Sequence, residues 1–150
     1  MTARTPIKKQ LLVDIDRALR GWCYLWGADD LAPQITVEFS SRMTRSLGSC
    51  YPDRKLIRIA RWVLEESDAL VQEVLCHEAA HVAAHHLYGS SIRPHGSEWK
   101  ALMHTVGYPS AVRYKSETLT RLPATARKRD TIGSILRNLR NGIWTGLARS

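Results

Sequence analysis

Cysteine is scarce in this chain. Its three residues, Cys23, Cys50 and Cys76, stand far apart with no C-x-x-C pair. That spacing argues against a disulfide framework and against a cysteine-built zinc site, and a sparse, odd count fits a reducing compartment. Long apolar runs are missing too. Nothing approaches the ~18 apolar residues of a membrane-spanning helix. The basic N-terminus, Met1 to Gln10, has no apolar stretch behind it, because Asp14, Asp16 and Arg17 break up the next segment. A cytoplasmic location is expected. Acidic residues are the third shortage: 14 Asp and Glu face 22 Lys and Arg, a net charge of +8 with a pI near 9.8. Such a balance favours acidic partners such as nucleic acid or an anionic surface.

The imbalance is local. Residues 121–150 hold seven basic residues against Asp130 alone, a net of +6, whereas the first 120 come to only +2. The chain therefore divides into a body, 1–120, and a basic tail, 121–150. In the tail, Ile132, Ile135, Leu136, Leu139, Ile143 and Leu147 recur at helical spacing among basic residues, which predicts an amphipathic basic helix. Arg127, Lys128, Arg129, Arg137 and Arg140 are its candidate nucleic-acid contacts. No helix-turn-helix or zinc-finger signature accompanies them, so DNA would be met through its phosphates, in a salt-sensitive way. The plainer alternative is a solvated face.

At 44% hydrophobic, the chain is long enough for one domain with a real core. A first helix is expected over residues 6–27: Pro6 suits its first turn, and Ile7, Leu11, Leu12, Ile15, Leu19, Trp22 and Leu25 or Trp26 share one face. Trp22, Tyr24 and Trp26 are read as core before they are read as a stacking surface for bases. The period then changes. Ile35 to Phe39 alternates like a half-buried strand, Arg45 to Tyr51 is a weaker strand interrupted by Gly48, and Leu56 to Arg61 alternates again after a turn at Pro52–Lys55. The expectation is an α+β fold with a small antiparallel sheet under two helices. An edge strand near a metal would suit peptide binding by strand addition, though the sequence does not say which strand.

Residues 67–88 organise the rest. Ser67 is a candidate N-cap, Asp68 suits the first turn, Gly89 is placed to end the helix, and no proline interrupts it. Within it lies His77-Glu78-Ala79-Ala80-His81. Residues four apart lie one turn apart on one face, so both imidazoles can meet one point, as a tetrahedral zinc requires. Glu78 is near enough to act as general base on a water activated there, without ligating. Two chance histidines on an amphipathic helix would give the same five letters. The apolar surroundings weigh against chance, because a carboxylate in such a helix needs a partner or a job.

A third ligand must come from a later element. His85 continues the i, i+4 ladder but lies about 12 Å along the axis from His77, too far for one ion with ligand distances near ~2.1 Å. His85 and His86 are expected at the surface or in packing. The candidates are His95, Glu98 and His104. His95 is favoured because Pro94 before it and Gly96 after it help to aim its ring. Glu98 reads equally as a first-turn acid of a helix over Ser97–Thr105, and His104, one turn deeper, as a packing residue. Tyr108, Arg113 and Tyr114 are nearby donors that an oxyanion would need, each with an ordinary structural reading beside it.

The motif at His77–His81, then His95-Gly96 fourteen residues on, then Glu98-Trp99-Lys100, resembles the SprT-like (Spartan-type) zinc metalloprotease domain, over about Leu11 to Tyr114. The resemblance implies a zincin-like fold, His77, His81 and His95 as ligands of one zinc per chain, and Glu78 as the catalytic base. It implies a metal-dependent endopeptidase whose protein substrates are held on DNA. Many members of that family carry a C-terminal ribbon of four cysteines, and no such set stands in this sequence. The alternative function is a zinc-stabilised nucleic-acid-binding module with weak or lost cleavage. A third reading is a basic helical interaction protein with incidental histidines.

Overall fold

Helix α1, Lys9–Leu25, opens the computed structural model, which describes residues 6–108. Its apolar positions fall three and four apart, so Leu11, Ile15, Leu19, Trp22 and Cys23 form one buried stripe. The opposite face keeps Asp16 and Arg20 in water, 2.9 Å apart one turn along. Leu12 and Leu25, expected on the inner face, lie outside it, and the ring of Trp26 takes the buried place just past the helix end. Trp26 Nε1 donates to the Leu102 carbonyl at 2.8 Å, tying the end of α1 to a helix near the other end of the described chain. Burial of Trp22 and Trp26 bears out their reading as core; Tyr24 is exposed.

Three strands come next: β1 (Thr36–Ser40), β2 (Gly48–Tyr51) and β3 (Leu56–Ala60). The expected antiparallel sheet is corrected here. The order is β1-β3-β2, with β3 antiparallel to β2 but parallel to β1. A tight turn at Pro52–Arg54, with Lys55 at φ 49°, joins β2 to β3 as neighbours, and β1 is left to pair with the far side of β3. Composition explains the central place of β3. Leu56, Ile57, Ile59 and Ala60 are all buried, the near-continuous apolar run of a strand covered on both faces, and β1 has no buried residue. Arg58 is the one half-exposed residue of β3. It spans both neighbours, donating to Glu38 of β1 at 3.0 Å and to the Tyr51 hydroxyl of β2 at 3.2 Å.

A short helix, α2 (Val63–Glu66), leads into the long helix α3 (Asp68–Tyr88). Ser67 caps α3 as expected: its hydroxyl accepts from the Leu70 amide at 3.0 Å, satisfying one of the free amides of the first turn. Gly89 closes it, its amide donating to the His85 carbonyl at 2.9 Å. Between those ends α3 is buried almost all round, from Val74 through Ala84 without a break, under the sheet, α1 and the last helix, α4 (Ser97–Thr105). Trp99, Leu102 and Met103 form the inner face of α4, as the sequence predicts. Among the described residues no helix is long and apolar enough to cross a membrane. The basic tail over 121–150, with Arg127, Lys128, Arg129, Arg137 and Arg140, lies outside the described residues, as do Arg113 and Tyr114.

Candidate metal centre

His77 and His81 lie one turn apart on the buried side of α3, and their Nε2 atoms are 3.3 Å apart. His95 comes in from the loop between α3 and α4. Its Nε2 stands 3.1 Å from that of His81 and 3.0 Å from that of His77. Three ligands of one tetrahedral zinc at ~2.0–2.1 Å would have their nitrogens about 3.3 Å apart, so the triangle is close to what such an ion needs. A neutral imidazole carries one ring proton, and three Nε2 atoms facing one another cannot all find acceptors there. A cation satisfies all three at once. The residues present therefore fit the metal.

Burial fixes their protonation. His77 is held well below the usual imidazole range, first by desolvation and then by His81 and His95. His81 falls to about 3 through desolvation and the nearness of His95, and His95 is lowered by desolvation and by Lys100. All three stay neutral at physiological pH, the form that ligates.

The loop shows how the third histidine is aimed. Arg93-Pro94-His95-Gly96 is a tight turn closed by the Gly96 amide on the Arg93 carbonyl at 3.0 Å. Proline sits at the first central position and His95 at the second, with φ 59°. That second position, with positive φ, ordinarily goes to glycine or asparagine, and a histidine there stores on the order of 1–3 kcal/mol. Proline stiffens the turn as expected, but the unusual backbone belongs to the histidine.

Trp99 is the platform under the cluster. It is 1% exposed, nearly parallel to the His81 ring at a centroid distance of 5.4 Å and within 4.8 Å of the rings of both His77 and His95. Its Nε1 donates to the His77 carbonyl at 3.2 Å, fastening α4 to the turn of α3 that holds the histidines.

Glu78 lies against β2. It is 1% exposed, and its Oε1 has no hydrogen-bond partner among the described residues. Desolvation raises its carboxyl to about 8, with the Cys50 thiol opposing weakly as a donor; the same burial, with the carboxyl beside it, pushes that thiol far up and keeps it protonated. Gly48 makes the approach possible. A Cβ there would lie 2.7 Å from Val74 Cγ1 and 3.2 Å from Glu78 Oε1, so no other residue lets β2 come so near α3.

His77, His81 and His95 are thus brought together as the metal-competent group found among the described residues, and Glu78, next to His77 in the chain, has its carboxyl against β2. His85 and His86 stand outside it, 3.2 Å from Asp53 and 3.5 Å from Asp30. Glu98 accepts from the Ser97 hydroxyl at 3.3 Å. His104, expected to pack, is exposed on the outer side of α4. Tyr108 stands edge-on to Trp22 at 5.8 Å, half-buried against the core. Sequence reasoning missed Gly48, taken only as an interruption of a strand, and Cys50. A glycine inside a strand is itself a signal of close backbone approach.

The comparisons agree with this geometry. Protein SprT of Pseudomonas paraeruginosa is 36% identical over 72 residues, 47% of this chain and 43% of that protein. Protein SprT of Vibrio atlanticus is 36% identical over 75 residues, 49% of this chain and 44% of the other. Protein SprT of Pseudomonas savastanoi pv. phaseolicola is 43% identical over 42 residues, 28% and 26% of the two. The aligned chain spans less than half the length of these curated relatives. No solved structure matches. A family model described as the SprT-like family matches residues 22–127, well over half of the sequence and the whole histidine cluster, so the chain belongs to the SprT-like family.

Proposed function

We propose that the protein is a zinc-dependent endopeptidase in which His77, His81 and His95 would hold one zinc and Glu78 is the general base. One observation carries the reading: consecutive residues of a buried helix turn supply a metal-competent imidazole and a carboxyl with an unpartnered oxygen. A merely structural helix gains nothing from that pair, since an unpaired buried carboxyl costs several kcal/mol or takes up a proton. Zinc held by three protein ligands, with a fourth position open, supplies a Lewis acid that lowers the pKa of water and polarises a carbonyl. Glu78 takes the proton of the attacking water and hands it to the leaving amine. Burial raises the Glu78 carboxyl, and a cation held by the adjoining His77 would lower it again toward the ionised form that a base needs.

The strand order supports β2 as the strand a peptide would join. It is an edge of the sheet, and it is the edge packed against α3 beside Glu78. The +6 charge of residues 121–150 supports substrates presented on DNA, which is also what the family resemblance implies. Three free, buried cysteines suit the reducing interior of a cell. The same charge favours the second reading, a zinc-stabilised nucleic-acid-binding module. Cleavage of an unfolded protein substrate by wild type but not by Glu78→Gln, both loaded with one zinc per chain, supports the peptidase. Zinc in both with cleavage by neither leaves the binding module.

A further inference from the structure

A cavity of about 110 Å³ opens beside the histidine cluster, with Pro52, Ala84, Ile92, Pro94 and the ring of Trp99 as its apolar walls and His81, His85, Ser90 and Arg93 completing the lining. His81 and Trp99 therefore belong both to the metal centre and to the cavity. Pro52 comes directly after Tyr51, the last residue of β2. A polypeptide laid along the free edge of β2 would run past this opening, within a residue or two of any bond held at the histidines, since successive Cα atoms are about 3.8 Å apart. Side chains alternate along such a strand, so every second one faces the helix side.

We infer that this cavity is the substrate side-chain pocket of the peptidase and takes a branched aliphatic residue. The inference rests on the peptidase reading above. Size selects the occupant: an apolar cavity of ~150 Å³ holds benzene, so one of about 110 Å³ suits Val, Ile or Leu better than an aromatic ring. Charge selects as well, because Arg93 at the rim disfavours Lys and Arg.

The test uses short peptides of glycine and alanine with one variable residue, Gly, Leu, Phe or Lys, moved through each position. With zinc-loaded wild type, Leu at one position should raise kcat/KM at least about tenfold over Gly, as burial of an aliphatic side chain predicts, and Phe and Lys should not. Ala84→Leu, which fills the cavity from α3, should bring kcat/KM for the Leu peptide down to that for the Gly peptide. Ile92→Ala, in the loop, removes a wall without loading the core and should admit Phe. Binding is read separately on Glu78→Gln, from the indole N–H resonance of Trp99. The Leu peptide should move that signal at least about tenfold lower in concentration than the Gly peptide, and Ala84→Leu should abolish the difference. Cleavage with equal rates for Leu and Gly at every position overturns the pocket and leaves the peptidase standing. Equal binding of the two peptides likewise means that something other than a substrate side chain fills the cavity. A Leu-selective shift of the Trp99 signal without cleavage by wild type keeps the pocket and removes the peptidase.

Discussion

Two pairs of histidines on one helix behave as different residues. His77 and His81 sit in the buried turns of α3, neutral, with their Nε2 atoms converging on His95. His85 and His86, one turn further on, reach out to Asp53 and Asp30 near the surface, at 3.2 and 3.5 Å. The i, i+4 ladder from 77 to 81 to 85 is unbroken in the sequence, so spacing cannot separate them. What separates them is the cover. The sheet and α4 close over the first pair and stop short of the second. A histidine becomes metal-competent here because its solvent has been removed and its neighbours aim at the same point.

The sharpest way to break that contrast is to delete rings. His77→Ala, His81→Ala and His95→Ala should each weaken zinc binding by more than the ~10–100-fold that loss of a supporting partner costs, read as zinc per chain after dialysis. His85→Ala should retain the metal in full. Zinc lost from His85→Ala but kept by His95→Ala would reverse the assignment. Next comes the residue between the ligands. Glu78→Gln should keep zinc and fold while cleavage falls about 10²–10⁴-fold, measured as kcat on a peptide; a metal-free variant would make Glu78 a ligand instead.

A smaller effect tests the cover itself. Gly48→Ala puts a methyl 2.7 Å from Val74 Cγ1, so either β2 or α3 must shift, at a cost of about 1–3 kcal/mol in a denaturant titration. An unchanged midpoint would show that β2 is not held against α3. By contrast, removing the outer pair should hardly register: His85→Ala should change stability by less than about 1 kcal/mol, as exposed ion pairs usually do. Reversing Arg127, Lys128 and Arg129 to Glu should leave the zinc untouched. If the tail meets duplex DNA, the slope of log affinity against log salt should flatten by about 0.9 for each phosphate the variant no longer neutralises. A slope that does not move takes this run off the DNA.

What could be read from the sequence was local. The cap at Ser67, the end at Gly89, the span Ser97–Thr105 and the inner face of α1 come from spacings within a few residues, and the structure has them. The three strands and the antiparallel β2–β3 pair were legible too, but the parallel place of β1 was not, because β1 and β3 pair across twenty positions and no turn chemistry records a partner that distant. Arg58 misled in the same way. Its one polar position made β3 look like an alternating surface strand, whereas its guanidinium bridges both neighbours over a strand buried on each side. The histidine cluster was legible because two histidines share a helix face and the third comes right after a proline. The seat of Glu78 was not: Gly48 and Cys50 precede it by about thirty residues and meet it only once the sheet has closed.

That last difference has a kinetic consequence. The three imidazoles come from one continuous stretch, and bringing His95 back to His81 closes a loop of fourteen residues between two helices. Short loops close at low entropic cost and early in folding. The Glu78 carboxyl reaches its seat only after β2 has found both β3 and α3, a slower search over distant segments. Gathering the histidines and seating Glu78 are therefore separable steps in folding. A chain whose β2 has not yet docked on α3 would hold three histidines close in sequence and still lack the seat of Glu78.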